Sequence, residues 1–211
     1  MNFEDQLQLW LAELRHERPV FHSEADFQHA LAWVAHRSDP SLQVRLETRL
    51  GPGMRLDVQF SRPDLGTHFA VELKYLTAAW KGAWDGEEFH LLNQGAQDIR
   101  AYDAVKDIQR VEQFVTGRTG WSGAVVVLTN EPSYWQRPGH GRATNADAFR
   151  IYDGNVLTGV RAWGPNTGAG TSKGRESDLD LRGKYVCRWS DYSHLDGARG
   201  RFRMLNFAVQ R

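Results

Sequence analysis

Apolar residues recur along the first forty positions at helical spacing. Phe3, Leu7, Trp10, Leu11 and Leu14 predict a helix from Phe3 to about His16, ended by Pro19. Phe27, Leu31 and Val34 predict a second helix, opened by Ser23 as N-cap with Asp26 three places on, and stopped at Asp39-Pro40. The period then changes to two. Val44, Leu46, Thr48 and Leu50 alternate with Arg45, Glu47 and Arg49. Leu56, Val58 and Phe60 alternate with Arg55, Asp57 and Gln59, and Phe69, Val71, Leu73 and Tyr75 with Ala70, Glu72 and Lys74. With Gly51-Pro52-Gly53 and Ser61–Gly66 as turns, this predicts an antiparallel three-stranded meander with one apolar and one polar face.

The helical period returns from about Asn93 to Val115, with Ile99, Tyr102, Val105, Ile108, Val111 and Phe114 in one stripe. Trp80 to Phe89, just before it, reads as an irregular loop. Ser122 to Asn130 holds Ala-Val-Val-Val-Leu and predicts a central strand covered on both faces. Beyond Glu131, eight glycines fall between Gly139 and Gly174. Strands are expected at Ala148–Tyr152 and Asn155–Trp163 around an Asp153-Gly154 turn, and later at Tyr185–Trp189 and Phe202–Val209. Gly164–Gly174 reads as a mobile loop. The whole, 1–211, is read as a single α/β (α+β) domain: a mixed central sheet flanked by helices, a core at about 22–130, and a strand-rich extension at 131–211 that adds to the same sheet.

Composition narrows the function classes. The 211 residues carry 26 basic and 26 acidic side chains, so no overall field attracts a nucleic acid. The charge is uneven, however. Residues 1–36 hold six acids and two bases, and residues 182–211 hold seven bases and two acids. One cysteine, Cys187, excludes an internal disulfide and a cysteine zinc site. No apolar run is long enough for a membrane span, and the opening Met-Asn-Phe-Glu-Asp lacks a signal peptide's basic flank, so a cytoplasmic location is expected.

The strongest chemical signal lies in the second and third strands. Glu72 and Lys74 share one strand face, and Asp57 occupies the matching face of the preceding strand. Two carboxylates with a main-chain carbonyl make a hard oxygen site suited to magnesium. A lysine beside it can stabilise an attacking water or help deprotonate it. An acid-x-lysine triplet alone is expected about 0.6 times by chance (5 × 26/211). Its setting gives it weight: the strand is otherwise apolar, and lysine stands there although arginines outnumber lysines 21 to 5.

The order helix, three-strand meander, helix, strand, with Asp57 and Glu72-Leu73-Lys74 in place, resembles the PD-(D/E)XK nuclease superfamily over about residues 22–130. Leu56 stands where that pattern has proline. The resemblance implies a restriction-endonuclease-like αβββαβ core and metal-dependent phosphodiester hydrolysis, of DNA rather than RNA. It implies Mg²⁺ (or Mn²⁺) held by Asp57, Glu72 and the Leu73 carbonyl, with Lys74 on the water. Many members add a glutamate from the first core helix, and Glu24 is the match. As first helical residue after Ser23, Glu24 would also favour the helix dipole without any such role. Gln94 and Gln97, where the long helix begins, are candidate substrate contacts, as are Arg199, Arg201 and Arg203, read as sharing one face of a strand. Asp103, Lys106, Asp107 and Arg110 read as ion pairing on a solvated helix face. His22, His29 and His36, seven apart, read as a surface stripe. Trp10 and Trp33 read as core, and Trp80, Trp84, Trp135 and Trp163 as loop aromatics that either stack on a ligand or pack. A duplex cutter needs two sites or two events, hence a homodimer or a partner subunit. The competing class is a non-catalytic nucleic-acid- or protein-binding subunit on the same scaffold.

Overall fold

The computed structural model describes residues 2–51, 54–139 and 141–210, apart from the Leu50 side chain. The turn residues Pro52 and Gly53 lie outside the described residues. In chain order the elements are α1 (Phe3–Glu17), α2 (Glu24–Ser38), β1 (Gln43–Gly51), β2 (Met54–Arg62), β3 (Thr67–Leu76), β4 (Trp80–Trp84), β5 (Glu87–Leu91), α3 (Gln97–Thr116), β6 (Trp121–Thr129), β7 (Val156–Arg161), α4 (Ala169–Ser172), β8 (Leu179–Val186), β9 (Trp189–His194) and β10 (Arg201–Val209). The result is a mixed α+β architecture. Its central sheet runs β1-β2-β3-β6-β10-β9, and β3 and β6 are the parallel pair. No helix among the described residues is long and apolar enough to cross a membrane.

The meander forms as the alternation predicts, with β1, β2 and β3 antiparallel. Ser23 caps α2 by accepting from the Asp26 amide at 3.1 Å. Both faces of the sheet are covered. Leu7, Trp10 and Leu11 of α1 and Phe27 and Leu31 of α2 pack on Val58, Phe60, Val71, Leu73 and Tyr75. On the opposite face Val105, Ile108, Val111 and Phe114 of α3 pack on Ala70, Val125, Val127 and Leu205. The polar face expected of β2 and β3 therefore lies under α3, where an uncompensated charge is costly. Leu56 joins the α3-side cluster while Val58 and Phe60 join the other, so the expected alternation breaks at Asp57. Gly123 lets α3 sit close: a Cβ there would lie 2.4 Å from Val111 Cγ1 and 2.7 Å from the Ala70 carbonyl.

Several expectations are corrected. Trp80–Phe89 is a hairpin, β4–β5, turning on Asp85-Gly86 with both φ positive, at 48° and 79°. That is the primed turn an Asp-Gly pair favours. Helix α3 begins at Gln97 and not at Asn93: the Gln94 amide is engaged by the Thr77 carbonyl at 2.8 Å, and Ala96 is left-handed. Ala148–Tyr152 is not a strand. Asp147 binds the Thr144 amide and hydroxyl and the Arg150 guanidinium, which holds this stretch in a compact turn. The expected strand Asn155–Trp163 is instead β7, and it pairs with β8 in a separate two-stranded sheet, so only β9 and β10 extend the central sheet. The expected strand Tyr185–Trp189 is the end of β8 and the start of β9, parted at Cys187 where the Trp189 amide turns to Asp153 Oδ1 at 2.9 Å. Gly164–Gly174 contains the short helix α4. Trp33 is 64% exposed, pointing outward between the buried Ala32 and Val34 of α2, while Trp80 and Trp135 are buried. His22 precedes α2, stacks on Phe89 and meets Glu87 at 2.9 Å; His29 and His36 are exposed on the helix.

Glu112 ties the β7–β8 hairpin to α3. Its buried carboxylate accepts from the Arg182 and Gly183 amides at 3.1 and 2.7 Å and from the Tyr185 hydroxyl at 2.7 Å. Glu112→Ala strands those donors and is expected to lower unfolding free energy by about 2–4 kcal/mol. Urea denaturation measures it; a loss within experimental error would show that the hairpin is held by its apolar contacts alone.

Candidate active site

Three backbone features bring the motif residues together. The β2–β3 ladder is paired through Val58↔Val71, and Asp57 and Glu72 are the next residues along each strand, where no pairing continues. The Asp57 carboxylate fills that gap, with Oδ2 accepting from the Leu73 amide at 2.7 Å. On β3, Glu72 and Lys74 both point toward α3 by the strand's period of two. At the first turn of α2, Glu24 Oε2 accepts from the Tyr75 amide at 2.8 Å, and its Oε1 lies 3.9 Å from Lys74 Nζ. Glu24 thus faces the sheet at the motif, and its dipole position does not prevent this.

Helix α3 closes the site with residues expected on a solvated face. Asp107 is 3% exposed, and its Oδ2 lies 2.8 Å from Lys74 Nζ. Arg110 Nη2 lies 3.0 Å from Glu72 Oε1, and Arg110 Nη1 donates to Asp107 Oδ1 at 3.0 Å. The signal was present: Asp107 stands three residues after Ala104 and four before Val111, both buried, and so shares their face. Lys74 also donates to the Leu73 carbonyl at 3.1 Å.

Four carboxyl groups, from Glu24, Asp57, Glu72 and Asp107, thus meet two cations, Lys74 and Arg110. Glu72 is 1% exposed. Glu72 Oε1 and Asp107 Oδ2 are both buried and, although within ion-pair range of Arg110 and Lys74, receive no aligned hydrogen bond. Burial first, then Asp107 and Asp57, push the Glu72 carboxyl up to about 10. Burial also raises Asp57, against the Leu73 amide, and Glu24, against Lys74 and the Tyr75 amide. Burial by itself would lower the Lys74 ammonium, but Asp107, Glu24 and Asp57 outweigh it and hold the group above the ordinary lysine value. The carboxylates around it favour the charged nitrogen, which suits it to donating hydrogen bonds.

Surplus buried carboxylate is what a divalent cation would relieve, and Asp57, Glu72 and the Leu73 carbonyl are hard oxygen donors. Among the described residues, no three His, Cys, Asp or Glu side chains group as a metal cage.

The remaining candidates divide. Gln94 lines the cleft beside Glu24 and Lys74. Gln97, the first residue of α3, lines a different hollow, with Ser133, Tyr134 and Arg150. Arg199 precedes β10 in a left-handed turn and does not share its face, contrary to expectation; it pairs with Glu131 at 3.3 Å. Arg201 and Arg203 converge on Asp191, at 2.8 and 3.4 Å. None of these three arginines lines the cleft at Lys74.

Compared with protein-family models, with curated proteins and with solved structures, the chain matches none.

Proposed function

We propose that this chain is a metal-dependent nuclease with a restriction-endonuclease-like core formed by α2, β1, β2, β3, α3 and β6. The observation that carries the reading is the convergence of Asp57, Glu72 and Lys74 in one buried charge cluster where β2 leaves β3, beside the cleft that Lys74 lines. The antiparallel meander, the long helix and the parallel β3–β6 pair support it in the order the resemblance implies.

Asp57, Glu72 and the Leu73 carbonyl would hold Mg²⁺ or Mn²⁺. The ion would stabilise the negative charge that builds on the phosphoryl oxygens during in-line attack of water. Lys74, kept protonated by Asp107 and Glu24, donates a hydrogen bond that orients the water and offsets charge at phosphorus. Glu24 holds the Tyr75 amide and so fixes the strand next to the ammonium.

Arg110 against Glu72 favours a second reading, a non-catalytic nucleic-acid- or protein-binding subunit in which the protein's own cations satisfy the cluster. A cleavage assay with Mg²⁺ or Mn²⁺ on plasmid, single-stranded DNA and RNA separates the two, with Asp57→Ala beside the parent. The nuclease reading expects divalent-dependent cleavage by the parent, DNA favoured, and at least about a hundredfold loss in the variant. Equal rates in both proteins, or no cleavage of any substrate by the parent, would overturn it.

A further inference from the structure

The cleft beside Lys74 carries carboxylates on its floor and free cations on its rim. From this we infer that Arg100 and Lys106 of α3 bind the phosphates flanking the reacting one, so that the site takes a polymeric nucleic-acid strand and not a small phosphodiester. The inference rests on the nuclease reading and extends it to the substrate.

The cleft encloses about 260 Å³ and is lined by Glu24, Lys74, Gln94, Asp107 and Arg110, with Arg100, Asp103 and Lys106 along its α3 side. Its cations fall into two groups. Lys74 and Arg110 are occupied by Asp107, Glu24 and Glu72. Arg100 and Lys106 are exposed and, among the described residues, have no ion-pair partner. The one acid between them, Asp103, is taken by Arg175 at 3.6 Å. The arginines expected to bind backbone are engaged elsewhere by Glu131 and Asp191.

Six residues of helix separate Arg100 from Lys106, about 9 Å along the axis. One strand of a duplex presents a phosphate about every 3.4 Å. Two cations at that separation reach different phosphates of one strand, which a single diester cannot supply. A chain of zero net charge supplies no net field toward a polyanion, so an unneutralised pair at the cleft adds attraction where the strand would bind.

Fluorescence anisotropy with a labelled oligonucleotide, single-stranded in one arm and duplex in the other, tests this without requiring cleavage. The full chain is compared with Arg100→Ala, Lys106→Ala and the double variant across a salt series. Arg45→Ala, an exposed arginine on β1, serves as the charge control. Each cleft variant should weaken binding about three- to tenfold and lower the slope of log K against log salt by about 1, with Arg45→Ala unchanged. The inference is overturned if the double variant binds as the parent does, if Arg45→Ala costs as much, if the parent does not bind, or if it binds an uncharged methylphosphonate strand equally well. A chain that binds through Arg100 and Lys106 but never cleaves keeps this inference and loses the nuclease reading. One that cleaves while the double variant loses no affinity does the reverse.

Discussion

Glu72→Gln is expected to inactivate the chain and at the same time stabilise it. In the proposed site its carboxylate would be one of two side-chain donors for the divalent ion. Losing about 4 kcal/mol of transition-state stabilisation corresponds to roughly a thousandfold fall in rate. Stability moves the other way because the carboxyl is buried beside Asp107 and Asp57, which hold its proton on to about pH 10. The native state therefore keeps a proton that the unfolded chain releases above the ordinary value of 4.5. With fewer protons bound in the unfolded state, stability falls as pH rises through that window. Asp57 and Glu24, also raised, act in the same direction. Glutamine carries no such proton. Urea unfolding in EDTA should show the variant about 0.5–2 kcal/mol more stable than the parent at neutral pH, with the gain vanishing below the ordinary carboxylate value. A parent whose stability does not change with pH, or a variant less stable at neutral pH, would mean that the pocket carries no surplus negative charge.

Lys74→Ala is expected to cost at least about a hundredfold in cleavage, and Lys74→Arg is not expected to restore it, because a planar fork does not replace a compact ammonium clamped between Asp107 and Glu24. The informative partner is Asp107→Asn. Asp107 acts through Lys74 and is a positioning residue, so its loss should cost about 10–100-fold, as for outer-shell partners. It should also change the pH profile. Asp107 is the largest influence raising the Lys74 ammonium; without it the balance shifts toward burial and the value falls. Activity that needs the charged nitrogen is then lost at the alkaline end, at lower pH than in the parent. If the two profiles superimpose, Asp107 merely fills space.

Much of the local architecture was legible along the chain. The apolar stripes of α1, α2 and α3, the alternation of β1 to β3 and the Ala-Val-Val-Val-Leu core of β6 were all readable, because burial on one face imposes a period on the residues themselves. The Asp85-Gly86 hairpin was equally readable, and the aromatic loop around it hid the signal. Beyond Glu131 the strand Phe202–Val209 was readable, but Ala148–Tyr152 was misread as strand, because Asp147 gathers the Thr144 amide into a local turn and the Ile151 carbonyl is taken by the distant Trp189 indole.

The amino-acid order by itself placed Glu72 and Lys74 on one face of a strand, Asp57 on the strand before it, and Glu24 at the opening of the preceding helix. Only the tertiary structure decided that this face is roofed by α3, with Asp107 and Arg110 completing the cluster and Arg100 and Lys106 left free at its edge. Helical spacing states which residues share a face. Which neighbour that face meets depends on how the helix crosses the sheet, and that is set by packing, down to the glycine at position 123 that lets the two approach.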